Sequence, residues 1–70
     1  MAEPIGTPLT ILRRKQVEAR TGLSRSTIYL RIARGEFPPA ISIGARAVGW
    51  ASDAIDAWIA ERIAQSRKGA

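Results

Sequence analysis

The chain has 70 residues, with eleven Lys and Arg against six Asp and Glu, and neither cysteine nor histidine. That length supports one small domain, which buries only about 60% of its unfolded-state surface. Without cysteine there is no disulfide framework or thiolate metal site. Without histidine the commonest metal ligand and the usual general base are missing, so no metal, cofactor or enzymatic activity is expected. No apolar run approaches the roughly 20 residues of a membrane span, and the start lacks the hydrophobic core of a signal peptide. The expected location is the cytoplasm, with no membrane partner.

Residues 1–8 contain two prolines and a glycine and read as a loose arm. Leu9, Ile11 and Leu12 around Thr10 form a short apolar run, either a brief strand or a segment docked on the core. A helix is predicted from about Arg14 or Lys15 to Arg20, with Val17 its one large apolar residue. Gly22 turns the chain afterwards, since it tolerates positive φ. Ser24 caps a second helix that runs to about Arg34, where Gly35 stops it. Ile28 and Ile32, four apart, define its buried face.

Phe37-Pro38-Pro39 breaks any helix. The alternating runs Ala40–Ile43 and Ala47–Trp50, joined by Gly44-Ala45-Arg46, read as a β-hairpin. Gly44 and Gly49 are assigned to turn geometry and close approach. Ser52 reads as the N-cap of a last helix, with Asp53 complementing its dipole. That helix is predicted to reach about Gln65, with Ile55, Trp58, Ile59, Arg62 and Ile63 on one face. Residues 66–70 read as a polar, basic tail that frays. Trp50 and Trp58 are expected in the core as a packing pair. The fold class that follows is mainly α with a small β-hairpin: a winged helix-turn-helix over residues 9–65, between the arm and the tail.

Charge is concentrated on one half. Residues 1–35 hold seven basic and two acidic residues, whereas residues 36–70 hold four of each. A concentrated positive field attracts polyanions. With Ile28 and Ile32 inward, a wheel places Ser26, Leu30 and Ala33 on the outer face of the second helix, with Thr27 and Arg34 beside them. Tyr29 and Arg31 fall on its two flanks. Base readout is therefore assigned to Ser24, Arg25, Ser26, Thr27, Tyr29 and Leu30, with Arg25 the candidate for a bidentate contact to guanine. Leu30 either touches a thymine methyl or packs under the wing or at a protein contact. Tyr29 either bonds a phosphate or lies part-buried beside Ile28. Backbone contacts are assigned to Arg13, Arg14 and Lys15, which oppose the dipole of the first helix, and to Arg31, Arg34 and, at the hairpin tip, Arg46.

Four blocks in order, Thr21–Tyr29, Arg34–Pro38, Gly44–Trp50 and Ile55–Ile59, closely resemble the AlpA family of prophage and integrative-element regulators related to excisionases. The resemblance covers roughly residues 9 to 65. It implies a MerR-like winged helix in a bacterial, nucleoid-associated protein that binds specific double-stranded DNA and regulates transcription. It also implies the second helix in the major groove and the hairpin around Arg46 on the backbone or minor groove. Many members carry a basic residue where Leu30 stands, so base readout there is not carried over. An excisionase-type directionality factor that bends DNA at an attachment site, self-associating on it, is the alternative within this class. A protein-interaction module of anti-repressor type is the alternative outside it. RNA fits less well, because its A-form major groove is too narrow for side chains to read. No small-molecule ligand is expected.

Overall fold

In the computed structural model, which describes residues 9–69, three helices pack on a three-stranded antiparallel sheet. The elements are β1 (Ile11–Leu12), α1 (Arg14–Thr21), α2 (Arg25–Ala33), β2 (Ile41–Ser42), β3 (Val48–Ala51) and α3 (Ser52–Gly69). The predicted arm, residues 1–8, and the final Ala70 lie outside the described residues. The architecture is the expected winged helix-turn-helix.

Short helices need external help, because nucleation is costly and few internal hydrogen bonds form. At the start of α1, the Arg13 N–H donates to Gln16 Oε1 at 2.8 Å. At its end, Gly22 adopts φ 76° and its N–H donates to the Glu18 carbonyl. Helix α2 begins as predicted, with Ser24 Oγ accepting the Thr27 N–H at 3.3 Å. It closes in a Schellman motif: the Gly35 N–H donates to Ile32 O and the Glu36 N–H to Arg31 O, with Gly35 at φ 73°.

The apolar run at Leu9–Leu12 resolves as a strand. β1 pairs with β3 in the register Ile11↔Ala51 and Leu12↔Trp50, and β2 pairs on the other side with Ile41↔Gly49 and Ser42↔Val48. The wing is thereby tied to the chain before α1, and its turn is closed by the Ile43 N–H on Ala47 O. Leu12, Val17, Ile28, Phe37, Trp50 and Ile55 form the buried core, with Leu23, Ile32, Ala40, Trp58 and Ile59 packed against it. One residue comes from almost every element, so no helix is stable without the others. Arg20 and Asp56 join α1 to α3 at 2.5 Å on the surface.

Four expectations need correction. Ser52 is the first residue of α3, and its buried hydroxyl accepts the Thr10 N–H at 2.9 Å while its own N–H donates to Thr10 O. The side chain thus extends the β1–β3 ladder. Helix α3 continues past Gln65 to Gly69, through the segment read as a fraying tail. Its inner stripe ends earlier than expected, since Ile63 is 47% exposed. The tryptophans take separate partners: Trp50 lies 6.4 Å from Tyr29, and Phe37 meets the Trp58 ring edge-on at 4.9 Å.

Of the two wing glycines, only Gly49 is constrained. A Cβ there would collide with Ile11 Cγ2 and stand 3.0 Å from the Leu12 carbonyl, which is backbone and cannot swing away. At Gly44 a Cβ would meet Ala47 Cβ at an ordinary 3.7 Å, and φ is not positive. Gly49→Ala should therefore cost about 1–3 kcal/mol, the usual range for overpacking. Gly44→Ala should be nearly neutral. Urea unfolding of both variants checks this, and equal stability of the two would remove the steric constraint.

Candidate nucleic-acid interface

The outer face of α2 is open. Ser24, Arg25, Ser26, Ala33 and Arg34 are exposed, Leu30 is 51% exposed, and Thr27 is half-buried. Small and hydroxyl-bearing residues along this face leave its backbone close to anything laid against it. Leu30 is too open for a residue packed beneath the wing.

The first two polar positions are partly spoken for. Ser24 Oγ accepts the Thr27 N–H and donates to Thr27 Oγ1 at 3.0 Å. The cap takes one lone pair of the hydroxyl and the bond to Thr27 Oγ1 takes its proton, so an external group can only donate to it. Arg25 projects over the ring of Tyr29, one turn on, with Cζ 6.0 Å from the centroid. Tyr29 is 40% exposed and inclined at 59° to buried Trp50. A cation over an aromatic face gains electrostatically from the ring quadrupole. The three side chains make a stack that leads from the core to the N-terminal turn of α2.

Beside this face, residues far apart in sequence converge. Arg13, Arg14 and Lys15 from the start of α1, Tyr29 from α2, and Arg46 and Val48 from the wing line one groove of about 440 Å³. Four cations line it and no carboxylate does. Arg14 also pairs with Glu18 one turn along α1, both side chains about one-third exposed. Arg13, Arg14, Lys15, Tyr29 and Arg46 were separate candidates in the sequence, and the β1–β3–β2 sheet brings them together. Val48 was missed there, because alternation in a hairpin does not say which face a neighbouring helix leaves open.

Arg31 lies on the other flank of α2. Its Cζ is 5.9 Å from the Trp58 ring, away from the cationic groove. Arg34 is the C-cap residue, exposed at the far end of the helix. No helix among the described residues is long and apolar enough to cross a membrane.

Residues 10–63 match the model of a family described as Prophage CP4-57 regulatory protein (AlpA). The chain belongs to the AlpA family. It is 45% identical over 69 residues to a protein of Enterobacteria phage P4 that carries only the description "Uncharacterized protein ORF88". That alignment takes in 99% of this chain and 78% of the phage protein. The AlpA match spans β1, both helices of the helix-turn-helix, the wing and most of α3, so the groove and the open face of α2 lie wholly within it. This is an AlpA-family regulatory protein.

Ser24→Ala separates structural from recognition roles. Loss of the cap should lower stability by about 1 kcal/mol without DNA present. Thermal unfolding of the free protein reads this directly, and an unchanged midpoint would mean that the cap contributes nothing.

Proposed function

We propose that this AlpA-family protein is a sequence-specific double-stranded DNA-binding transcriptional regulator of a prophage or integrative element, acting in the cytoplasm of its host. Helix α2 enters the major groove, and the wing lies on the adjacent backbone or minor groove. The observation that carries this reading is the gathering of Arg13, Arg14, Lys15 and Arg46 into one groove free of acidic lining, alongside the open face of α2. A phosphate chain needs such a surface, since neutralising phosphates releases condensed counterions.

Within this reading the residues divide by reach. Arg25, held over Tyr29, takes guanine O6 and N7 in the major groove, and Ser26, Thr27 and Leu30 supply shorter contacts to base edges. Ser24 accepts from a base amino group. Arg13, Arg14, Lys15 and Arg46 hold one backbone strand, with the Tyr29 hydroxyl donating to a phosphate in the same groove. Arg34 meets phosphate at the far end of the helix. Arg31, turned against Trp58, stays out of this contact.

Selection from a random double-stranded library at about 150 mM salt should enrich one motif, because base contacts and not charge alone set the preference. Affinity retained without any enriched motif would remove the sequence-specific part of the proposal. Arg25→Ala should cost about 1–3 kcal/mol on the selected site and relax preference at one position. Arg46→Ala should weaken all sequences alike and reduce the slope of log K against log salt by about one. Titrations by fluorescence anisotropy at several salt concentrations check both. An Arg25→Ala variant that selects the same motif with the same stringency would overturn the role given to Arg25. For Leu30, uracil in place of each thymine should weaken binding at one position. No effect at any position would exclude a methyl contact.

A further inference from the structure

A second groove, of about 660 Å³, opens on the opposite flank of α2, between the C-terminal end of that helix and α3. Trp58 and Phe37 supply its apolar lining. The Trp58 indole N–H is already committed to the Glu36 carbonyl at 2.9 Å, so the ring offers a face and no donor. Two guanidinium groups stand near that ring, Arg31 with Cζ at 5.9 Å and Arg62 at 5.5 Å.

Among the described residues neither arginine has a carboxylate partner, the ion pairs there being Arg14–Glu18 and Arg20–Asp56. Arg62 Nε is buried with no hydrogen-bond partner among the described residues, and no bond there engages the terminal nitrogens. The guanidinium is therefore held by packing, with its forked end left to receive an acceptor. Two like charges held near one ring repel each other, and a carboxylate placed between them would relieve that repulsion.

Charge decides what kind of molecule this groove fits. Its lining includes Glu36 and Glu61 as well as Arg31 and Arg62, so it is balanced where the groove beside the wing is wholly cationic. Glu36 and Glu61 oppose the continuous row of charges on a phosphate backbone, whereas a single carboxylate set at the two guanidinium groups meets more attraction than repulsion. A surface that sets two arginines about a tryptophan has the composition of protein-interface hot spots. We propose that this groove docks a short segment of a partner protein in which an aromatic or leucine side chain neighbours a carboxylate. The apolar side chain lies on Trp58 beside Pro38 and Ala57, and the carboxylate bridges Arg31 and Arg62. Because α2 stands between the two grooves, such a partner is accommodated while the cationic groove is filled. The proposal holds whether or not the cationic groove binds DNA.

The probe is a display library of random dodecapeptides, panned against the full chain. Enriched peptides should carry Asp or Glu within two residues of an aromatic or leucine. A selected peptide should lose affinity by about tenfold or more on an Arg31→Met/Arg62→Met variant, a change of about 1.4 kcal/mol. It should keep its affinity on Arg46→Ala. Ala57→Phe, which obstructs the groove from an exposed position on α3, should also block the peptide and does not disturb the core if the double variant proves unfolded by circular dichroism. Three outcomes would overturn the proposal. They are no enrichment above that on the obstructed variant, binding that depends on Arg46 instead, or a Trp58 indole resonance that shifts with duplex DNA and not with the selected peptide. The last would assign the groove to the nucleic-acid backbone.

Discussion

The segment Glu36–Pro38, between α2 and the wing, is held by two indole N–H groups. Trp58 Nε1 donates to Glu36 O and Trp50 Nε1 to Pro38 O, at 2.9 and 3.0 Å. Pro38 and Pro39 have no N–H of their own, so this stretch cannot join a helix or ladder as a donor, and its carbonyls need partners from elsewhere. Each such bond contributes about 0.5–1.5 kcal/mol net, but its absence from a covered position would cost more. Geometry matters beyond these energies. One donor comes from β3 and the other from α3, so the exit of α2 is fixed against both the wing and the last helix. Phe37, buried between those two anchors, leaves the segment no slack. The angle between α2 and the wing, and with it the place of Arg46 beside Tyr29, follows from this attachment.

The wing is held from its other side by a strand of only two residues. β1 supplies little ladder, and Ser52 lengthens it by exchanging hydrogen bonds with Thr10 through both its N–H and its hydroxyl. Close approach at Gly49 allows Ile11 to cross β3. These contacts also set the charge distribution, because Arg13, Arg14 and Lys15 follow β1 directly. Anchoring β1 to the wing carries three cations to the same groove as Arg46. The cost of holding like charges together is offset in part by the Arg14–Glu18 pair, and cations at the start of α1 gain nothing from its dipole.

Much of the fold was legible in the sequence because it rests on local chemistry. Gly22 does take positive φ, Ser24 does cap α2, Gly35 does stop it, and the alternating runs around Gly44–Arg46 do pair. Those signals depend on residues within a few positions of each other. What could not be read depends on partners distant in sequence. Periodicity tells which face of a helix is buried but not against what, so Trp50 and Trp58 were placed inside yet paired with each other instead of with Tyr29 and Phe37. A serine before a helical run is ordinarily a cap, and only the presence of Thr10 across the ladder diverts the Ser52 hydroxyl. The polar residues after Gln65 carry no packing signal, yet α3 continues through them to Gly69. For the candidate interface, the exposed face of α2 followed from the helical wheel. The convergence of Arg13, Arg14, Lys15 and Arg46 required the sheet, and the groove around Trp58 required α3 to be placed.

A small core ordinarily leaves surface side chains free, and each pays conformational entropy when it is ordered against a partner. The stack from Trp50 through Tyr29 to Arg25 lessens that penalty at the N-terminal turn of α2. Trp50 is immobile in the core, Tyr29 is inclined against it, and Arg25 lies over the tyrosine ring before any partner arrives. The same principle operates on the opposite flank, where Phe37 supports Trp58 and the ring supports Arg31 and Arg62. Both flanks of α2 thus present arginines steadied by an aromatic that is itself braced by another. The two indoles that fix the linker each belong to one of these stacks, Trp50 at the base of the first and Trp58 carrying the arginines of the second. One pair of tryptophans therefore sets the relative placement of the elements and stiffens the charged groups they display, which is how a domain with so few buried residues can hold its surface in a defined shape.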